Sequence, residues 1–411
     1  MSDSGGGRVF LTGATVVRPD RLETDATLVL EEGRIVDLVR GPRPVGAGEM
    51  RVDLTHHVIA PGFVDVHVHG ALGVDVLDGP GAVARLASVL PRWGVTAFCP
   101  TTVACVPDAL AAALSDVRSC RAAPVEGAAR VLGAHLESNF LNPEFAGAQP
   151  LACLRRASDV DARSGGESAR AFTGRDILAV VDAHRADVAV FTMAPEIDGG
   201  LALLRALVAA GTRVSIGHTG ASYDQALEAI AAGAAHATHL YNRMTPMTSR
   251  DPGVVGAILG TDDVDAEIIC DGHHVHPASV RAAWRAKGPS HVMAITDGTA
   301  GAGLPRGARA SLGGRAIRVD DVARLDDGTV AGSVLTMDRA FALLVSQTGA
   351  DLVQAAIMCA TTPARALGLR GHGVIAPGAV ADLVVLDSSL AVRQTWIGGK
   401  QAWIRAEGTR A

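Results

Sequence analysis

Lysine is almost missing from this chain. Of 37 basic residues only Lys287 and Lys400 are lysines, so chemistry that bridges two metals with a carboxylated lysine has almost no residue to draw on. Aromatic residues make up 3% of the sequence, too few for base-stacking platforms. The formal net charge is -6 and the arginines form no run, which argues against nucleic acid or an anionic membrane surface as a partner. No stretch approaches the ~18 uninterrupted apolar residues that would span a bilayer. The opening Met1-Ser2-Asp3-Ser4-Gly5-Gly6-Gly7 has neither the basic region nor the apolar core of a secretion signal, and a flexible start and a cytoplasmic location are expected. Six cysteines, Cys99, Cys105, Cys120, Cys153, Cys270 and Cys359, form no C-x-x-C pair, a pattern that suits buried thiols in a reducing compartment.

What is present is a large apolar fraction. With 411 residues and 48% hydrophobic content, the chain can bury the core of one big domain plus a smaller one. Residues 9–59 read as short alternating segments (9–17, 27–31, 34–39 and 50–54) broken by Gly33, Gly41, Pro42, Pro44 and Gly46, a pattern of small antiparallel strands. The last part, 373–403, has the same character, so residues 1–59 and 370–411 are expected to meet in a small β-sandwich domain. Between them, in 60–369, strand-like apolar runs alternate with helical segments, the pattern of a parallel sheet with crossover helices. Eight runs are counted, at 63–68, 95–101, 131–136, 188–193, 213–217, 235–239, 266–270 and 291–296. The fold class predicted is therefore α/β, a (β/α)8 TIM-type barrel. A doubly wound open sheet is the alternative, because periodicity alone does not show closure.

Barrels of this kind place their chemistry at the C-terminal ends of the strands. The first run ends in His67-Val68-His69, two imidazoles on one strand face. The third ends in Glu137, the fifth in His218, the sixth in His239 and the eighth in Asp297. Four histidines and two carboxylates at five strand ends form a ligand set for a borderline divalent ion such as Zn, Fe or Mn. Such an ion lowers the pKa of its water from about 16 toward ~7 and polarises a carbonyl, so hydrolysis is the expected reaction. Asp297 is assigned the proton-transfer role, taking a proton from water and delivering it to a leaving amine. His135 shares a strand face with Glu137 and is read either as a support to the ligands or as a packed core histidine. Of His273 and His274, after the seventh run, at least one is expected to reach substrate. The remaining histidines, including His236, are read as surface residues or as local hydrogen-bonding groups.

Several longer segments carry a resemblance. They include Pro61-Gly62-Phe63-Val64-Asp65-Val66-His67-Val68-His69-Gly70, His135-Leu136-Glu137, Ala194-Pro195-Glu196 and Thr238-His239-Leu240-Tyr241-Asn242. Asp271-Gly272-His273-His274-Val275 and the closing Pro377-Gly378-Ala379-Val380-Ala381-Asp382-Leu383 belong to the same set. Over 61–387 the chain resembles the amidohydrolase superfamily and, within it, the N-acetylglucosamine-6-phosphate deacetylases. The resemblance implies that Glu137, His218 and His239 bind the main metal and that His67 and His69 build a second position with Glu137 bridging, for one or two ions in all. It implies that the substrate phosphate is held by main-chain groups around Asn242 and Arg243 and by Arg250 from a second subunit, hence a homodimer. It places His274 on the sugar and Gln149 near the amide carbonyl. The product would be the free amine and acetate.

Two departures stand out against this family. Ser138-Asn139 follows Glu137 where Gly-Pro is usual, and Arg243 stands where a small residue is usual. Both direct attention to another N-acetylated amino sugar, such as N-acetylgalactosamine 6-phosphate, as a second expectation. The fourth run ends Met193-Ala194-Pro195-Glu196 with no lysine, which speaks against dihydroorotase-like or hydantoinase-like chemistry. A binding or assembly protein on the same barrel is the non-enzymatic alternative.

Overall fold

The computed structural model describes residues 7–44, 46, 49–161 and 172–406; the start read as flexible, residues 1–6, lies outside that set. Eight parallel strands form the centre: Phe63–Val68, Val95–Thr102, Ala134–Glu137, Val188–Met193, Val214–Ile216, His236–Ala237, Asp265–Ile269 and Val292–Ile295. Each pairs with the next. The eighth returns to the first through Asp297 N–H to His67 O at 2.9 Å and His69 N–H to Gly298 O at 2.8 Å, which excludes the open sheet. The seam that closes the barrel therefore runs through candidate ligands. The third run differs from expectation: Arg130–Val131 pairs with the second strand, and the chain breaks at Gly133, φ 143°, before Ala134–Glu137 begins.

The outer helices start where local chemistry says they should. Thr173 caps Gly174–Ala183 in a reciprocal box with Asp176, Ser222 does the same with Gln225 for Tyr223–Ala231, and Pro277 opens Pro277–Lys287 at its first turn. Inside the barrel the filling is unusually polar. His67, His135, Thr192, Ser215, Thr238 and Glu267 are all buried, several of them hydrogen-bonded to one another, where branched aliphatics usually dominate. His236, read as a surface or locally bonded residue, is instead buried in the sixth strand; a two-residue strand offers no alternation from which its burial could be read.

Both chain ends join one eight-stranded mixed sheet, in the order Lys400–Ile404, Val392–Ile397, Leu383–Leu386, Val58–Pro61, Val9–Val17, Leu22–Glu31 and Arg34–Arg40, with Met50–Asp53 also paired to Val9–Val17. Backbone bonds from Ala381 N–H to Gly33 O and from Gly399 N–H to Ala381 O, 2.9 Å each, bridge its far edges. A three-stranded antiparallel sheet, Arg309–Leu312, Arg315–Val319 and Ala323–Leu325, follows the eighth barrel strand. It was not expected, because strands of three to five residues interrupted by arginines carry no apolar run.

Asp382 fastens the terminal sheet to the barrel. Its carboxylate accepts from Arg130 Nη2 at 3.0 Å, Arg130 Nε at 3.2 Å, His372 Nδ1 at 3.0 Å and Gly398 N–H at 2.7 Å. Burial opposes its charge, but the bonds from His372 and Arg130 outweigh burial and hold its pKa below the ordinary 3.8. Asp382→Asn is expected to cost roughly 2 kcal/mol, toward the lower side because the Arg130 side chain is 38% exposed and solvent screens it. A depressed folded pKa contributes stability above the unfolded value and loses it as pH falls through the folded one. The melting-temperature gap between wild type and Asp382→Asn should therefore be constant from neutral pH down to about 5 and close below about 4. A gap unchanged at pH 3 would refute the assignment.

Candidate metal centre

The mouth of the barrel is built by strands that stop abruptly. His218, His239 and Asp297 have left-handed φ values of 48°, 32° and 49°, a region that non-glycine residues seldom occupy. Each lies just past a strand end, where the chain turns sharply. Strain of this kind persists only where surrounding contacts over-determine it. Asp297 is held on both sides, its N–H on His67 O and its carbonyl on Ser333 N–H at 2.8 Å. Gly70, following the His-x-His pair, is required for closeness: a Cβ there would strike the Val74 carbonyl.

Two groups of ligand atoms converge. In one, Glu137 Oε1 lies 2.9 Å from His218 Nε2 and 3.0 Å from His239 Nε2, and the two Nε2 atoms are 3.1 Å apart. In the other, Asp297 Oδ1 lies 3.3 Å from His67 Nε2 and 3.2 Å from His69 Nε2, which are 3.3 Å from each other. Glu137 Oε2, 3.4 Å from His69 Nε2, lies between the groups. All six residues are buried. Asp297, for which the sequence suggests no particular neighbours, is grouped with His67 and His69.

The placement of the imidazole hydrogens suits a cation. His218 Nδ1 faces Phe145 O at 2.9 Å, His69 Nδ1 faces Thr101 O at 3.2 Å and His67 Nδ1 faces Glu267 Oε2 at 2.9 Å. Carbonyl and carboxylate oxygens only accept, so each Nδ1 carries the hydrogen and each neutral Nε2 presents a lone pair. Those lone pairs point at one another and at carboxylate oxygens. Such a convergence of acceptors is satisfied by added protons or by a cation, and the donor set suits a borderline divalent ion. Without an ion, protons are drawn in. Burial disfavours charge on His69, yet its bonds to Asp297 and Glu137 push its pKa up to about 10. Burial also disfavours charge on Glu137 and Asp297, and the surrounding imidazoles nonetheless hold both carboxyls below the usual range.

The residues expected on the substrate side are distributed unevenly. Gln149 donates Nε2–H to Glu137 Oε2 at 2.6 Å and accepts Ala104 N–H at 2.8 Å, so one N–H remains beyond its hold on the ligand. His274 is fixed by Asp271 Oδ2 on Nδ1 at 2.6 Å, and its buried Nε2 has no partner among the described residues. Asn242 closes a turn, its N–H already donated to His239 O at 2.9 Å. The Arg243 side chain lies over Gly147. Gln149, Asn242, Arg243, His273 and His274 line a cavity of about 630 Å³ together with every ligand residue but His67, which lies behind it. Arg250 is exposed and does not line it. His135 has both nitrogens occupied, by Val66 O at 3.0 Å and Thr192 Oγ1 at 2.7 Å. Asn139 ties two loops by donating to the Cys105 and Cys153 carbonyls at 2.8 and 2.7 Å, which gives that departure a local structural role.

Some lining was not read from the sequence. Leu312, Val322, Arg324 and Val330 come from the small antiparallel sheet and its flank. Glu267 stands inside the seventh run, where a single acid among apolar strand residues is the signal the sequence offers for it. The two lysines are remote from the ligands: Lys287 is bonded to Ile258 O and Thr261 O, and Lys400 to Glu126.

The family model for the amidohydrolase family matches residues 58–402. The chain belongs to that family. Among curated relatives, an N-acetylglucosamine-6-phosphate deacetylase of Danio rerio is 36% identical over 371 residues, covering 87% of each chain. An N-acetylgalactosamine-6-phosphate deacetylase of Escherichia coli O157:H7 is 36% identical over 366 residues, covering 88% of this chain and 91% of the relative. Among solved structures, a mutant N-acetyl-D-glucosamine-6-phosphate deacetylase of Mycobacterium smegmatis, in complex with N-acetyl-D-glucosamine-6-phosphate, superposes with a TM-score of 0.85 at 34% identity, covering 97% of this chain and 100% of that one.

Proposed function

We propose that this chain is a metal-dependent deacetylase that hydrolyses N-acetylglucosamine 6-phosphate to glucosamine 6-phosphate and acetate. The observation that carries the reading is the convergence of six buried ligand residues, five of which (His69, Glu137, His218, His239 and Asp297) line a cavity of about 630 Å³, a volume suited to a small phosphorylated sugar. Glu137, His218 and His239 would hold one ion, and His67, His69 and Asp297 would complete a second position, with zinc or iron suited to the donors. Bound there, a divalent ion polarises the amide carbonyl and acidifies water. Asp297 takes a proton from the attacking water and returns it to the amine nitrogen as the C–N bond breaks. The unpartnered Nε2 of His274 accepts a sugar hydroxyl, and the second N–H of Gln149 is available to the amide oxygen. Asn242 shapes the turn that carries Arg243, whose planar fork suits a phosphate. Arg250, absent from the cavity of its own chain, would reach the phosphate of a second copy in a homodimer. Residues 60–369 would form the catalytic unit, with 1–59 and 370–411 as a small second domain, in a cytoplasmic enzyme. Among the described residues no helix is long and apolar enough to cross a membrane.

Acetate release from N-acetylglucosamine 6-phosphate, N-acetylgalactosamine 6-phosphate and unphosphorylated N-acetylglucosamine tests the proposal on metal-reconstituted protein. The first should be turned over with the highest kcat/KM and the third poorly. The galactosamine epimer is the second reading, motivated by Arg243 in the cavity, and it prevails if its kcat/KM is the larger. No acetate from either phosphate would overturn both.

A further inference from the structure

The four histidines of the centre are not supported alike. His69 and His218 place Nδ1 on main-chain carbonyls, whereas His67 places it on a carboxylate, Glu267 Oε2 at 2.9 Å. Glu267 sits in the seventh strand with a side chain 0% exposed, and among the described residues no arginine or lysine pairs with it. Its Oε1 has no hydrogen-bond partner there and lies 3.6 Å from His135 Nδ1, while Oε2 also accepts the His239 N–H at 3.4 Å. A buried carboxylate without a cationic partner is costly. Here the positive charge it lacks would be supplied through the imidazole, by a cation on the far side at His67 Nε2. The same residue also steadies the neighbouring strand end, where its main-chain carbonyl accepts Leu240 N–H at 2.7 Å, next to His239.

We propose that Glu267 is a positioning residue for the second cation. By accepting the Nδ1 hydrogen of His67 it fixes the ring's tautomer and plane, so that Nε2 meets His69 Nε2 and Asp297 Oδ1 as a ligand. A carboxylate behind a ligating imidazole raises its basicity as well as orienting it, and loss of such a partner typically weakens metal affinity about 10–100-fold. The inference rests on the metal-centre reading above and deepens it: Glu267 bears on how many ions are held.

Metal-stripped full-length protein would be titrated with zinc, and bound equivalents and affinities measured by mass spectrometry and chelator competition. Wild type, Glu267→Gln and the double variant His67→Ala/His69→Ala would be compared, with the metal-free melting temperature of each as a check on folding. Wild type should bind two equivalents and the double variant one. In Glu267→Gln the first affinity should match wild type and the second fall about 10–100-fold. If Glu267→Gln does not fold, Glu267→Asp, which withdraws the carboxylate from Nδ1, should show the same selective loss. Unchanged affinities, or equal weakening of both equivalents, would overturn the proposal alone. One equivalent in wild type would overturn it together with the two-ion reading.

Discussion

Asp297→Asn is expected to reduce kcat by about 10²- to 10⁴-fold, the range that general acid–base catalysis contributes, with KM changing far less. The substitution is nearly isosteric. The main-chain bonds at this residue, Asp297 N–H to His67 O across the barrel seam and Ser333 N–H to Asp297 O, do not involve the side chain and should survive it. An amide oxygen can still accept or ligate where Oδ1 lies, 3.2 Å from His69 Nε2, but it cannot take up a proton at neutral pH. The loss should therefore fall on the chemical step, with the Glu137 group still loading its ion. Steady-state kinetics alongside metal analysis decide the matter. Retention of most activity would remove Asp297 from the proton path.

Glu137→Gln should be at least as damaging, for a different reason. Glu137 Oε1 faces His218 and His239 at 2.9 and 3.0 Å, while Oε2 faces Gln149 at 2.6 Å and His69 at 3.4 Å. Removing its charge leaves the neutral imidazoles without an anionic co-ligand and leaves Gln149 without its carboxylate partner. Metal polarisation is worth several kcal/mol of transition-state stabilisation, and about 1.4 kcal/mol is a factor of ten, so activity should fall by roughly 10³-fold or more. The ion at the Glu137, His218 and His239 group should be lost on mild chelation that leaves wild type loaded. Full metal content with full activity in this variant would refute the assignment of Glu137 as the shared ligand.

Much of this centre can be read along the chain. His67 and His69 share a face because strand side chains alternate with a period of two, and the other ligands stand at the ends of runs whose apolar character marks them as strands. The near absence of lysine speaks against a carboxylated-lysine bridge, and both lysines lie away from the ligands. Less was legible at Ser138 and Asn139, where a departure that suggested altered substrate choice proves to include a loop-tying amide. The small antiparallel sheet at the cavity was not legible, since its short strands and the Gly313-Gly314 turn give no periodic signal over a usable window.

By itself, then, the sequence determined which residue types stand at strand ends, that the strands alternate with helices, and hence that a histidine–carboxylate centre on a barrel was to be expected. Local periodicity and turn chemistry suffice for those conclusions, because they depend on neighbours a few residues apart. Only the tertiary structure decided that the sheet closes, that the closing seam runs through His67 and Asp297, and that Asp297 groups with the His-x-His pair. It alone placed Glu267 behind His67, a contact across 200 residues. Contacts at such separations depend on the register and closure of the whole barrel, and no local pattern encodes them.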